Sequence, residues 1–137
     1  RGLISHVDIA PTLLDMAGIP LPKHYAGESF QPIVRGEKAQ VREAVFGENN
    51  YDDRYPLASE VANPETYQSI RSRFVRTQAY KYIRYHECRP VIEELYTIDK
   101  DPVEKNNLIQ EPAYADVADK MRTLLDDFEK EHVRFRH

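Results

Sequence analysis

The chain has 137 residues, enough for one domain that buries about two-thirds of its unfolded surface. A charged fraction of 31%, a hydrophobic fraction of 41% and a net charge of -4 describe an ordinary globular chain with no bulk attraction for nucleic acid or an anionic membrane. No apolar run approaches the ~20 residues of a membrane span, and a single cysteine excludes an internal disulfide or a multi-cysteine zinc site.

The chain opens at Arg1 with no signal-peptide pattern, a start compatible with processing or with a piece of something longer. Residues 8–17, "DIAPTLLDMA", read as a short helix. Asp8 is placed to cap it, Pro11 falls in its first turn, and Gly18 supplies a left-handed stop. Only Thr12 and Asp15 are polar between Ile9 and Ala17, so the helix is apolar nearly all round and needs cover on more than one side. The next stretch, "GIPLPKHYAGESFQPIVRG", is a loop rich in helix breakers. This points to a partner that the chain itself does not supply.

Residues 42–48, "REAVFGE", form a candidate strand, followed by a polar stretch beginning "NNYDDRY" at Asn49. The run "SIRSRFVRTQAYKYIRYHE" alternates in two arms about Gln78–Tyr80 and reads as a β-hairpin, with Tyr82 on the face opposite Ile83 and Tyr85. "ELYTI" at 94–98 is a further strand. In the last segment Tyr114, Val117, Ala118, Met121, Leu124, Leu125 and Phe128 recur at helical spacing. Asp116–Lys120 and Asp126–Lys130 are candidate i,i+4 pairs on that helix. The expected fold class is α+β: a small antiparallel sheet of about four strands packed by a long C-terminal amphipathic helix, preceded by a short helix.

Four stretches occur in one order: "SHVDIAPTLLDMAGIPLP", "YAGESFQPIVRG", "FVRTQAYKYIRY" and "ELYTIDKDPVEKNNL". Over about residues 5–108 this order resembles the C-terminal end of sulfatases, within the alkaline phosphatase superfamily. The resemblance implies that residues 1–36 are the end of a large α/β catalytic domain and its connecting loop. Residues 37–137 would then be the small C-terminal subdomain. It also accounts for the apolar first helix, whose partner sheet would lie upstream of Arg1.

Sulfatases use a formylglycine made from Cys or Ser in a C/S-x-P-x-R motif, together with a divalent cation. "CRPVI" at 88–92 matches at Cys88 and Pro90, but Ile92 stands where the Arg is required, so Cys88 reads as an ordinary thiol. Asp52–Asp53 resembles the paired metal acids of the family but lies in a loop-like context, which favours a solvated loop. Asp99, Asp101 and Glu104 suggest a calcium loop, yet Pro102 is ill suited and Glu104 stands where such a loop needs Gly. The stretch reads instead as a turn set by Asp-Pro, with Asn106 and Asn107 bonding backbone or turning left-handed, and Leu95 and Leu108 anchoring its ends. Arg71, Arg73, Arg76, Lys81, Arg84 and Arg89 form either a sheet face balanced by nearby acids or an attractor for an anionic substrate. His6, His24, His86, His132 and His137 show no metal-ligand spacing.

The expectation is a C-terminal fragment of a sulfatase, with no catalytic or metal-ligating residue of its own. It would complete the fold and wall the substrate cleft, with Glu48, Asn49, Asn50, Asp52 and Arg54 as substrate contacts. Its partners would be the N-terminal catalytic domain of the same chain and a sulfated small molecule or glycan, with no nucleic acid and no membrane span. No cofactor is expected in the fragment; calcium, or a similar divalent cation, and formylglycine are implied for the parent. Two alternatives stay open: a free-standing interaction domain, and a fragment of a related phosphatase or phosphonate monoester hydrolase.

Overall fold

A computed structural model describes residues 2–50 and 71–132. The chain divides into two compact units, Arg1–Val45 and Phe46–His137.

In the first unit a 3-10 turn, His6–Asp8, leads into α1, Ile9–Met16, and the chain leaves that helix through Gly18 at φ +69°. Asp8 does not cap α1 as the sequence suggests. Its fully buried carboxylate accepts instead from the amides of Ser5 and Glu28, at 2.7 and 3.0 Å, and pairs with Arg42. A buried carboxylate needs such donors, and these come from both flanks of the helix. The two polar residues of α1 hold the following loop: Thr12 Oγ1 accepts the Phe30 amide at 3.0 Å, and Asp15 accepts the Ser29 hydroxyl.

That loop contains a short helix that its breakers concealed, α2, Gln31–Val34, with Pro32 in its first turn, where the missing N–H is not needed. Together these contacts cover one side of α1. Its other side stays open, with Ile9 at 47% exposure and Leu13 and Met16 at 61% each.

The second unit is a four-stranded sheet in the order β1-β2-β3-β4, with β1 at Val45–Asn49, β2 at Ser72–Arg76, β3 at Tyr80–Tyr85 and β4 at Ile92–Thr97. β1 starts later than expected: Arg42 belongs to the Asp8 cluster, and Glu43 and Ala44 lie outside the strand. Strands β2–β3 and β3–β4 pair antiparallel, in a register that sets Val75 opposite Tyr82 and Tyr82 opposite Leu95. All three side chains are fully buried, because this face receives α3, Ala115–His132.

α3 buries Ala118, Met121 and Leu125 on that row, while Phe46 of β1 stacks on Phe128 with ring centroids 4.1 Å apart. Leu124, expected in the apolar stripe, is 39% exposed: it sits beside the seam and not beneath it. Gly47 lies against the Phe74 ring on the opposite sheet face, leaving no room for a side chain.

Replacing Leu125 by Ala should cost about 2–5 kcal/mol in urea unfolding, the range for emptying a closed core site. Leu124→Ala should cost less than about 1 kcal/mol, since its side chain is already part-solvated. Equal losses would contradict the placement of the seam.

Candidate functional site

Glu48 and Asn49 close β1, and Asn50 comes directly after them. Asp52, Asp53 and Arg54 lie outside the described residues. Alternation along β1 puts Glu48 on the same face as Phe46, towards α3. There Glu48 Oε1 accepts from Arg73 Nε at 3.3 Å and Nη2 at 3.2 Å. Asn49 and Asn50 are exposed.

The hairpin cations are largely engaged within the fold. Arg73 and Arg84 are directly opposite each other in the β2–β3 register, a like-charge pairing that costs stability unless an anion intervenes. Glu129 of α3 fills that place, its Oε1 accepting from Arg73 at 3.3 Å and its Oε2 from Arg84 at 2.7 Å. Arg84 also reaches Asp126 at 2.7 Å. Asp126 therefore serves the sheet, and the expected Asp126–Lys130 pair gives way to Lys130–Asp127 at 2.9 Å.

Arg71 pairs with Glu87 at 3.1 Å and Lys81 with Glu104 at 2.6 Å. Arg89 donates to the carbonyls of His86 and Cys88, and Arg76 is exposed at the end of β2. This geometry favours a balanced sheet face over an anion attractor.

A second charged cluster went unread in the sequence. The Tyr82 hydroxyl donates to Glu93, and Arg122 of α3 grips the same carboxylate through Nε and Nη2, both at 2.8 Å. Hydrogen bonding from Arg122 holds the Glu93 carboxyl below its ordinary value, against the opposing effect of burial. Burial, reinforced by Glu93, pushes the Tyr82 phenol well above the usual tyrosine range. The strand expected at 94–98 left Glu93 out, whereas β4 starts at Ile92, and the pairing with Arg122 spans 29 residues.

The remaining candidates are structural. Cys88 is a fully buried free thiol whose pKa burial pushes up, against a smaller lowering by Arg89, so the nucleophilic thiolate is suppressed. Asp101 is nearly buried, and its carboxyl is held below the usual range by the Asn106 amide, at 2.7 Å, and by those of Lys105 and Glu104.

Asn107 Oδ1 accepts the amides of Leu95 and Ile109, both at 3.0 Å, and Leu108 donates to the Leu95 carbonyl. The turn is therefore tied along β4. The left-handed residue in it is Glu104, at φ 55°, and not either asparagine. His24 lies beside Tyr25, and His132 stacks on Phe128. The His86 ring, its pKa lowered by burial, keeps a buried Nδ1 with no hydrogen-bond partner. Among the described residues no three His, Cys, Asp or Glu side chains form a group that could hold a metal ion.

Because folding lowers the Glu93 pKa, its contribution is complete above the unfolded value and is lost as pH falls through the folded one. Urea melts should show stability falling below about pH 4.5, with a shallower acid limb in Glu93→Gln. Identical acid limbs would deny the pairing. Cys88 should react with a thiol reagent only on unfolding, and prompt labelling of the native chain would place it elsewhere.

Residues 1–131 match the family model described as N-sulphoglucosamine sulphohydrolase, C-terminal. The Delta 4,5-hexuronate-2-O-sulfatase of Bacteroides thetaiotaomicron is 37% identical over 122 residues, which is 89% of this chain and 23% of that protein. A protein solved in complex with its substrate D-glucosamine-2-N,6-O-disulfate is similar at 30% identity and a TM-score of 0.69, over 90% of this chain and 23% of its own. The phosphonate monoester hydrolase of Agrobacterium radiobacter is similar at 26% identity and a TM-score of 0.64, over 91% of this chain and 24% of its own. The chain thus spans about a quarter of the length of these relatives. With the family model matched along nearly its whole length and the α+β architecture in place, the chain belongs to the sulfatase family, as its C-terminal region.

Proposed function

We propose that this chain works as the C-terminal part of a sulfatase that hydrolyses sulfate esters of a sugar or other small molecule. The observation that carries the reading is the family match along residues 1–131. In this reading residues 1–36 close an α/β catalytic domain and residues 37–137 form the subdomain that walls its cleft. The boundary between the two compact units, at Val45, falls further along the chain than that domain boundary. The open side of α1 supports the reading, since Ile9, Leu13 and Met16 form the kind of surface that a further domain covers. A free-standing interaction domain would instead keep its first helix covered.

The catalytic groups belong outside this chain. Cys88 fails as a formylglycine precursor on two counts, the Ile92 in its motif and its complete burial. The described residues also lack a donor set for a divalent cation. Calcium, or a similar cation, and formylglycine are assigned to the catalytic domain, as the resemblance to sulfatases implies.

This chain would contribute recognition, through the polar stretch Glu48–Arg54. Asn49 and Asn50 offer amides that both donate and accept, Asp52 accepts, and Arg54 supplies the planar donor fork that suits sulfate or carboxylate. Similarity to a phosphonate monoester hydrolase supports a second reading that keeps the ester hydrolase and changes the ester.

The coding DNA upstream of the Arg1 codon tests the proposal directly. An in-frame region encoding C/S-x-P-x-R and a paired-Asp strand supports it, and a start codon immediately upstream overturns it. In the enzyme carrying this chain, combined replacement of Asn49, Asp52 and Arg54 by Ala should lower kcat/KM at least about tenfold, roughly 1.4 kcal/mol of lost transition-state binding. No change with any sulfate ester would remove this stretch from the cleft. The 137-residue chain alone should give no metal-dependent arylsulfatase turnover above a Cys88→Ala control.

A further inference from the structure

Glu48 begins the polar stretch, but its carboxylate faces the helix side of the sheet, where one guanidinium engages it twice, through Arg73 Nε and Nη2. The third nitrogen of that guanidinium, Nη1, is held by Glu129, and Glu129 is held in turn by Arg84, which also grips Asp126. The pairs run unbroken from the end of β1 to two positions one turn apart on α3. The side chains of Arg73 and Arg84 are only 16% and 18% exposed, while Glu48 and Asp126 at the two ends of the chain of pairs are more open to solvent. Two residues before Glu48, Phe46 is fixed on the same face by its stacking on Phe128. β1 is thus pinned at two successive inward positions, so Asn49, its last residue, and Asn50 beyond it start from a fixed point.

We infer that Arg73 is a positioning residue that sets the placement of Asn49 and Asn50 through Glu48, and that Glu48 is an anchor and not a substrate contact. This rests on the reading of Asn49 and Asn50 as substrate contacts. Arg84 provides the internal control: it shares Glu129 with Arg73, but its other hydrogen bond goes to Asp126 on α3, whereas those of Arg73 go to Glu48 on β1. Loss of either arginine removes support for α3, whereas only loss of Arg73 releases the end of β1. A displacement of about 1 Å at a recognition residue is enough to cost one to two orders of magnitude in rate or binding.

The test compares Arg73→Met, Arg73→Lys, Glu48→Gln and Arg84→Met in the enzyme that carries this chain. Steady-state kinetics on a sulfate ester would be measured alongside hydrogen exchange at the amides of Glu48, Asn49 and Asn50. Arg73→Met should raise KM about tenfold with kcat within about twofold, the mark of lost uniform binding, and should speed exchange at those amides. Glu48→Gln should act in the same direction, and Arg73→Lys should recover part of the loss. Arg84→Met should lower the melting temperature while leaving KM and those amides unchanged. If Arg84→Met moves KM and exchange as far as Arg73→Met, or Arg73→Met moves neither, the inference is overturned. An unmodified enzyme that hydrolyses no sulfate ester sinks the proposed function instead, and the exchange comparison still decides whether Arg73 anchors the segment.

Discussion

The second unit depends on Glu129 lying between two arginines. The β2–β3 register places Arg73 opposite Arg84, and the same register aligns the buried row Val75–Tyr82–Leu95. A shift by one residue would turn that apolar row to the other face, so the arginine pairing comes with the core. α3 answers both demands with one face, placing Leu125, Met121 and Ala118 over the apolar row and Glu129 and Asp126 over the arginines. Arg122 completes the seam from the helix side by meeting Glu93, directly opposite Arg84 in the β3–β4 register. Helix position and strand register thus constrain each other, and the charges add a directional match that non-directional apolar packing lacks.

The first unit is organised around a different buried charge. Asp8 receives donors from Ser5, Glu28 and Arg42 and so ties together three separate stretches of chain. Thr12 and Asp15 bring the following loop onto the polar side of α1. With the polar side consumed internally, the apolar side faces outward through Ile9, Leu13 and Met16. Such a surface is costly in water and fits a region that works beside a larger domain, as the quarter-length match to sulfatases suggests.

The residues that look most chemical are the ones the fold uses most completely. Cys88 is sealed, Asp101 is saturated by the amides of its own turn, and Glu93 is clamped by Arg122 and Tyr82. Asn49 and Asn50 differ, being exposed beside an anchored strand end. That contrast supports the proposal that this region contributes recognition through Asn49 and Asn50.

Much of the architecture was legible in the sequence because local periodicity encodes it. The alternation in 69–87 and the helical spacing from Tyr114 to Phe128 are properties of single segments, and they foretold the hairpin and α3. The excess apolar character of α1 likewise announced its open side. Family membership was legible too, because four motifs keep their order. Tertiary structure alone decided the pairings. The Asp8 carboxylate pairs with Arg42 instead of capping α1, Asp126 left Lys130 for Arg84, and Glu129 settled between two arginines 45 and 56 residues away. α2 was hidden because the prolines and glycines of the stretch around it signal a loop until Thr12 and Asp15 hold that loop against α1. The physical reason is range: backbone preference acts over a few residues, whereas a charge takes whichever partner the folded backbone brings within reach.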